Sequence, residues 1–356
     1  LRASLLDLLR CVRCQATLAA EGDRPSDGDL REGWLRCTRC GQRYPVRNGM
    51  PFIYVEDGHW AACVREAEGW VKLHKDKGVH DQTNVDIDFR LPYFAAEPWL
   101  KVAQMFDIAL EILNVRGGET VLDLGAGRGW AAKHFALRGC RSVAIDVVAD
   151  DQIGLGRSQA LMRQAGTHYE ALIGDHERMP FRSGVFDIVF ASGSIHHTSG
   201  VGVLIREIAR VLKRGGRLLA INEPCIAVHE EEAEVLRRDC AEELAYNIRE
   251  RRPNLVQYRA ALAASGFTNI TIFPYNSHRV PDDVIQAWPS LLNVIVPPRL
   301  FFAAARKAGL GPLLLGMAQV WTRLTRGRSG PPSREAVLES ILLQRGGEVV
   351  IAADRT

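Results

Sequence analysis

No apolar run in this 356-residue chain is long enough to cross a bilayer, which argues against a membrane-spanning protein. A strong charge of either sign is also missing. Lys and Arg number 45 against 42 Asp and Glu, a formal net charge of +3. That falls short of the basic signature of a dedicated nucleic-acid binder, so composition neither demands nor excludes RNA. There is no internal repeat and no low-complexity tract, which sets aside repeat arrays and compositionally biased segments. The apolar opening "LRASLLDLLRC" is broken by Asp7 and Arg10, which argues against a secretory signal and for a cytoplasmic location. What is present is a globular composition, 47% hydrophobic and 24% charged. The length suits one large domain and one small one.

The eight cysteines are unevenly placed. Four form two C-x2-C pairs, Cys11 with Cys14 and Cys37 with Cys40, separated by 22 residues. Each pair can place two thiolates on one knuckle, and four thiolates close a tetrahedron around Zn2+. Disulfides are the alternative, and an intracellular setting disfavours them. A closed four-cysteine site leaves no open coordination position, so the zinc is expected to be structural. The spacing predicts a ribbon over residues 1–55 that loosens when metal is lost, while the rest of the chain keeps its ligand. "LLDLLRCVRCQATL…CTRCGQRYPVRNGMPFI" resembles the short zinc-ribbon proteins that activate tRNA, rRNA and protein methyltransferases. It is also similar to the ribbon fused to the N-terminus of some bacterial methyltransferases.

"VLDLGAGRGW", residues 121–130, brings an apolar run to Asp123 and then sets glycines at 125, 127 and 129. Glycine at alternate positions lets a ligand lie against backbone. Around it the pattern alternates: strands at "ETVLDLG", "SVAID", "YEALIGD", "FDIVFAS" and "RLLAINEP", with helices between them. "EPWLKVAQMFDIALEIL" reads as a preceding helix, and "VGVLIREIARVLKRGG" as one whose last turn holds Lys213 and Arg214. The prediction is an α/β fold with a doubly wound parallel sheet. Its ligand then lies beyond the carboxyl ends of the strands. A dinucleotide fingerprint would read G-x-G-x-x-G. Here an acid precedes G-x-G-x-G, and Asp123 would repel a pyrophosphate but suit a cationic amino group. Asp146, 23 residues on, stands where an acid takes ribose hydroxyls. A nucleoside with a cationic amino-acid tail is S-adenosylmethionine.

"VLDLGAGRGW…VAID…GDHERMPF…FDIVFASGSIHHT…EIARVLKRGGRLLAINEP" resembles the Rossmann-like S-adenosylmethionine-dependent methyltransferases, over about residues 100–225. The resemblance implies that Gly125, Ala126, Gly127 and Gly129 cradle the methionine and the sulfur side of the ribose. Asp123 would face the amino group, and Asp146 with Val147 the ribose. Asp175 would meet the adenine amino group and His176 the ring through its backbone N–H. Ser192 would line the methionine tail, and Met179 or Phe181 could pack on the adenine. The loop after Asp146, "VVADDQIGLGRSQALMRQAG", departs from the family in carrying Asp150 and Asp151.

Methyl transfer from a sulfonium is an in-line displacement that rests on alignment. A base is needed only where the nucleophile holds a proton. Candidates are His196, His197, Glu223 and His229. Residues 56–100, with Trp70, His74, His80, Tyr93 and Phe94, are expected to roof the pocket. The segment 276–345 is expected to be a mainly helical insertion before a last strand, "GEVVIAAD". It would cap a hydrophobic acceptor or, through 285–325 with Arg299, Arg306, Lys307 and Arg323, touch lipid. Three readings follow. The first is a methyltransferase for a small-molecule acceptor, hydrophobic or glycosylated. The second is an rRNA or tRNA methyltransferase whose ribbon arginines (Arg10, Arg13, Arg36, Arg39, Arg43, Arg47) touch phosphates. The third is a non-catalytic protein that binds the cofactor and a partner.

Overall fold

Thr120–Leu124 is buried along its whole length, as a strand between two helical layers must be. Its side chains alternate between the layers. Val121 joins a core with Phe106, Trp130 and Phe190, while Leu122 and Leu124 join Leu204, Ile208 and Leu262 on the other face. The computed structural model describes residues 1–23, 28–78, 86–285 and 333–356. Of the expected helical insertion, residues 286–332 lie outside them, and with these all of the lipid-contact stretch 285–325 but Ile285, including its four basic residues; so does His80.

In chain order the elements are α1 (Ala3–Leu6), β1 (Leu18–Asp23), β2 (Glu32–Cys37), β3 (Arg43–Arg47) and β4 (Met50–Ile53). Next come α2 (Gly58–Asp76), α3 (Asp86–Arg90), α4 (Trp99–Leu113), β5 (Thr120–Leu124), α5 (Trp130–Leu137) and β6 (Arg141–Asp146). Then follow α6 (Ser158–Ala165), β7 (Glu170–Gly174), β8 (Phe186–Ser192), α7 (Val201–Val211) and β9 (Leu212–Cys225). The last are α8 (Glu232–Asp239), α9 (Ala241–Ala245), α10 (Leu255–Ala264), β10 (Phe267–Pro274), α11 (Arg334–Arg345) and β11 (Gly347–Arg355).

The strands among the described residues form one sheet, ordered β1-β2-β3-β4-β7-β6-β5-β8-β9-β11-β10. From β4 to β9 the neighbours run parallel; both ends are antiparallel. The sheet is therefore mixed, where the alternating pattern predicted a parallel one. The hairpins β1–β4 and the return strands β10 and β11 make the difference.

α7 stops at Val211, one turn earlier than the sequence predicts. Lys213 and Arg214 lie in β9, where Leu212 pairs with Phe186 and Lys213 forms an ion pair with Asp187 at 2.8 Å. Strand pairing outcompetes the helical continuation of "RVLKRGG".

The ribbon is continuous with the large sheet. β4 pairs parallel with β7, Phe52 against Ile173 and Ile53 against Gly174. Leu9 bridges Phe181, and the Arg10 N–H donates to the Pro180 carbonyl at 2.7 Å. Leu5, Leu9, Leu35, Tyr44 and Ile53 share one buried cluster with Leu124, Ile145 and Phe181. The hydrophobic effect therefore stabilises both parts together. Each fully buried large apolar side chain contributes about 1.5–3 kcal/mol.

Candidate functional site

In the ribbon, the two knuckles face each other. Cys11 Sγ lies 3.7 Å from Cys40 Sγ and Cys14 Sγ 3.4 Å from Cys37 Sγ. All four sulfurs lie within 4.8 Å of one another. A disulfide needs about 2.05 Å, whereas thiolates about 2.3 Å from one zinc stand about 3.8 Å apart. The geometry fits a tetrahedral zinc and not two disulfides. The N–H groups of Arg39 and Cys40 donate to Cys37 Sγ, and Tyr44 Oη lies 3.1 Å from Cys11 Sγ. These contacts orient the sulfurs.

The ribbon arginines have local partners. Arg36 and Arg43 both pair with Glu21, Arg39 donates to the Cys14 carbonyl, and Arg47 stacks over Phe52. Tyr44 is buried; Trp34, 40% exposed, lies under Arg43. That leaves a poor stacking platform for unpaired bases.

The carboxyl ends of β5, β6, β7, β8 and β9 gather the second group of residues. Gly125, Gly127 and Gly129 all have positive φ, at 65°, 53° and 78°. A Cβ on Gly125 would meet Ser194 Cβ at 2.4 Å, and one on Gly129 would meet Tyr169 Oη at 2.6 Å. Those two are required by the protein's own packing. Gly127 differs: no described atom lies within 4 Å of where its Cβ would stand. It is the bare point of the cradle, open where a side chain would fill it. Its N–H donates to Asp146 Oδ2 at 2.7 Å, and Val148 N–H donates to Asp146 Oδ1 at 2.8 Å. A carboxylate offers about four acceptor positions, so Asp146 keeps capacity for hydroxyl donors. Ala126 is buried beneath the turn, while Val147 and Ser192 are half-buried at the ends of β6 and β8.

Asp123 is only 2% exposed, and its Oδ2 accepts the Ala132 N–H at 2.9 Å, capping the first turn of α5. Burial, and then the nearby Asp146 charge, push its carboxyl up to about 7. The folded chain therefore holds a proton that the unfolded chain releases near the ordinary value of about 3.9. Its contribution to stability is full below about pH 4 and is lost as pH rises through 7. Asp123→Asn should flatten the stability profile between pH 4.5 and 7, where one proton changes stability by about 1.4 kcal/mol per pH unit. Urea melts across that range check it. Parallel profiles for the two proteins would assign Asp123 an ordinary proton affinity.

Asp175 is turned toward protein partners. Its Oδ1 accepts from Glu177 N–H, its Oδ2 from Arg178 Nε, and His59 Nε2 lies 3.0 Å from Oδ2. Arg178 also grips Asp57, the N-cap of α2. Asp175 thus anchors α2. His176 is half-buried, with Nε2 3.0 Å from the His197 carbonyl. Met179 and Phe181 are 1% and 0% exposed, and Phe181 packs edge-on against Phe186. They are core residues and leave no face for an adenine.

His196, His197 and Glu223 come together; His229 is exposed in the turn after β9. Glu223 is fully buried. It accepts the N–H groups of Ser194, Ile195 and His196, and pairs with His196 Nδ1 at 2.8 Å. It holds the exit turn of β8 against β9. Burial lowers His196 to about 3 and His197 well below its ordinary value, so both rings are neutral near pH 7. His197 Nδ1 lies 2.5 Å from the Arg249 carbonyl, and Trp70 of α2 meets its ring edge-on at 5.5 Å.

Three carboxylates here escape the sequence reading. Glu66 on α2 and Glu250 before α10 are 6% and 7% exposed and flank the two histidines. Glu250 sits in "NIRERRPNL" and Glu66 in "VREAEGW", charged stretches that look like solvated surface. Asp88 is completely buried and takes Arg128 of the glycine turn at 2.5 Å and Arg157 at 2.8 Å. No local signal marks that clamp, because its partners lie 40 and 69 residues away.

A glycine turn at the carboxyl ends of the parallel strands, beside a closed four-cysteine ribbon, defines a class I methyltransferase fold joined to a zinc ribbon. Two family models match in the same order. Residues 2–49 match the Trm112p-like protein model and residues 122–220 the methyltransferase domain model. Over 114 residues the chain is 34% identical to a ubiquinone/menaquinone biosynthesis C-methyltransferase of Pseudomonas putida, covering 32% of this chain and 44% of that one. It is 29% identical over 171 residues to a sarcosine/dimethylglycine N-methyltransferase of Halorhodospira halochloris, covering 45% and 55%. These matches span about half the length of those relatives. Among solved structures, the geranyl diphosphate C-methyltransferase of Streptomyces coelicolor A3(2), in complex with S-adenosyl-L-homocysteine among other ligands, shares the fold. Its TM-score is 0.50 at 17% identity, over 85% of this chain and 99% of that one. No helix among the described residues is long and apolar enough to cross a membrane.

Proposed function

We propose that this protein is an S-adenosylmethionine-dependent methyltransferase acting on a small-molecule acceptor, with a structural zinc ribbon. The observation that carries the reading is the open face at Gly127 beside Asp146. The methionine and sulfur would lie along Gly125–Gly127, with Ser192 at the tail, and Asp146 would accept the ribose hydroxyls. The cofactor, when bound, supplies the electrophilic methyl group. The chain's own task is then alignment, which supplies much of the rate in a displacement of this kind. Asp88 fixes Arg128 over the turn, and Glu223 fixes the 194–196 turn, so both act as positioning residues. The curated relatives named above are methyltransferases of small molecules, which favours that acceptor class. The locally paired ribbon arginines favour it over RNA.

Methyl-labelled cofactor, incubated with the protein and an extract of its source, tests this. Label is expected in the small-molecule or organic-extractable fraction. Label in RNA would replace the acceptor class and give the ribbon a substrate-reading role. Absence of cofactor binding by calorimetry would overturn the whole reading.

A further inference from the structure

The buried cluster around His196 contains more carboxylates than guanidiniums. Glu66, Glu177, Glu223 and Glu250 face Arg249 and Arg252. Four carboxylates thus share two guanidiniums. A buried carboxylate either takes up a proton or needs a cationic partner.

The geometry shows where that partner fits. Glu223 holds His196 by Nδ1, which leaves Nε2 pointing away from it. A carboxylate behind an imidazole is the arrangement that orients metal-ligating histidines. Opposite Nε2, at 3.8 Å, stands Glu250 Oε2. That oxygen is buried and makes no hydrogen bond among the described residues, with the Arg252 guanidinium beside it at 3.2 Å as a charge neighbour. The two atoms thus face each other without a hydrogen bond. Their separation is what one ion spans, since bonds of about 2.1 Å place two ligands roughly 3.0–4.2 Å apart. The His197 ring lies beside that of His196 at 4.1 Å between centroids, tilted by 40°, and its Nδ1 lies 3.9 Å from Glu250 Oε1. One ligand atom from each of the three residues lies within 4.8 Å of the others.

We propose that His196, His197 and Glu250 form a site for a divalent transition-metal ion, separate from the ribbon's. His197 would join it by exchanging its bond to the Arg249 carbonyl. Two imidazoles and one carboxylate suit zinc, iron, cobalt or manganese and differ from the all-thiolate ribbon. All-oxygen donor sets are the preference of calcium and magnesium. The ion would sit at the exits of β8 and β9, where it could hold an acceptor oxygen. That last role rests on the proposed methyl transfer; the site itself does not.

The test is a Co2+ titration of the full chain after its ribbon has been filled with one equivalent of zinc. One further Co2+ per chain is expected, with visible d–d bands and without the near-ultraviolet thiolate charge-transfer band. Glu250→Gln and His196→Gln should each weaken that binding at least tenfold and keep the ribbon zinc. The proposal is overturned if Co2+, Mn2+ and Zn2+ at saturation give the wild-type chain no ion beyond the ribbon's. It is equally overturned if the extra ion binds both variants as tightly as wild type. Wild-type stoichiometry decides the matter even if a variant fails to fold, and cofactor calorimetry reads the methyltransferase assignment separately.

Discussion

Gly127→Val should abolish S-adenosylmethionine binding in a chain that still folds. The Cβ of the new side chain would stand in the open part of the cradle, with no described atom within 4 Å, so packing is undisturbed. The backbone at φ 53° is left-handed, which costs a side chain about 1–2 kcal/mol, somewhat more for a branched one. That lowers stability modestly. A cofactor lying on this turn, as proposed, would meet the branched carbons directly, and a loss of at least 100-fold in affinity, about 2.7 kcal/mol, is expected. Calorimetry with the cofactor and a thermal melt of the same sample separate the two effects. Gly125→Ala supplies the contrast. Its Cβ would meet Ser194 at 2.4 Å, so it should lower the melting temperature first and binding only in consequence. Normal affinity in Gly127→Val would move the ligand off this turn.

Cys37→Ser should release the ribbon's zinc and destabilise the whole chain. A structural four-thiolate zinc contributes roughly 10–16 kcal/mol to its own module. Here that module is joined to the rest by β4 on β7, by Leu9 at Phe181 and by a common core. The two parts should therefore unfold in one transition, with the melting temperature lowered by about 10 °C or more, since each kcal/mol shifts a large domain by roughly 2 °C. Cofactor affinity should fall about tenfold, because the ribbon braces the 178–182 segment that follows Asp175. A zinc chelator added to the wild-type protein should reproduce both changes. A separate low-temperature ribbon transition, with cofactor binding intact, would show two independent units. That is the behaviour the sequence alone predicts for the ribbon.

The contrast between these two predictions shows what was legible in the chain. The ribbon cysteines and the glycine turn were readable because their chemistry is local. Ligand spacing, strand period and the positive φ of a turn are properties of a few adjacent residues. So were β5, β6, β7 and β8, whose apolar runs end in Asp123, Asp146, Asp175 and Ser192. Met179 and Phe181 were harder. An apolar residue beside a site looks the same in sequence whether it meets a ligand or the core, and here the ribbon's Leu9 covers Phe181.

By itself the sequence determined the four-cysteine site and the alternation of strands and helices from β5 to β9, and it marked residues 123–129 as the proposed cradle. Only the tertiary structure decided which acids are open to a ligand. Asp146 keeps acceptor capacity at its strand end, whereas Asp123 caps a helix and Asp175 anchors α2. It also brought Glu66, Glu223 and Glu250 around two neutral histidines from positions far apart in the chain. The physical reason is that a carboxylate's role follows from its burial and its partners. Both are set by contacts between distant segments, and no local pattern of residues encodes them.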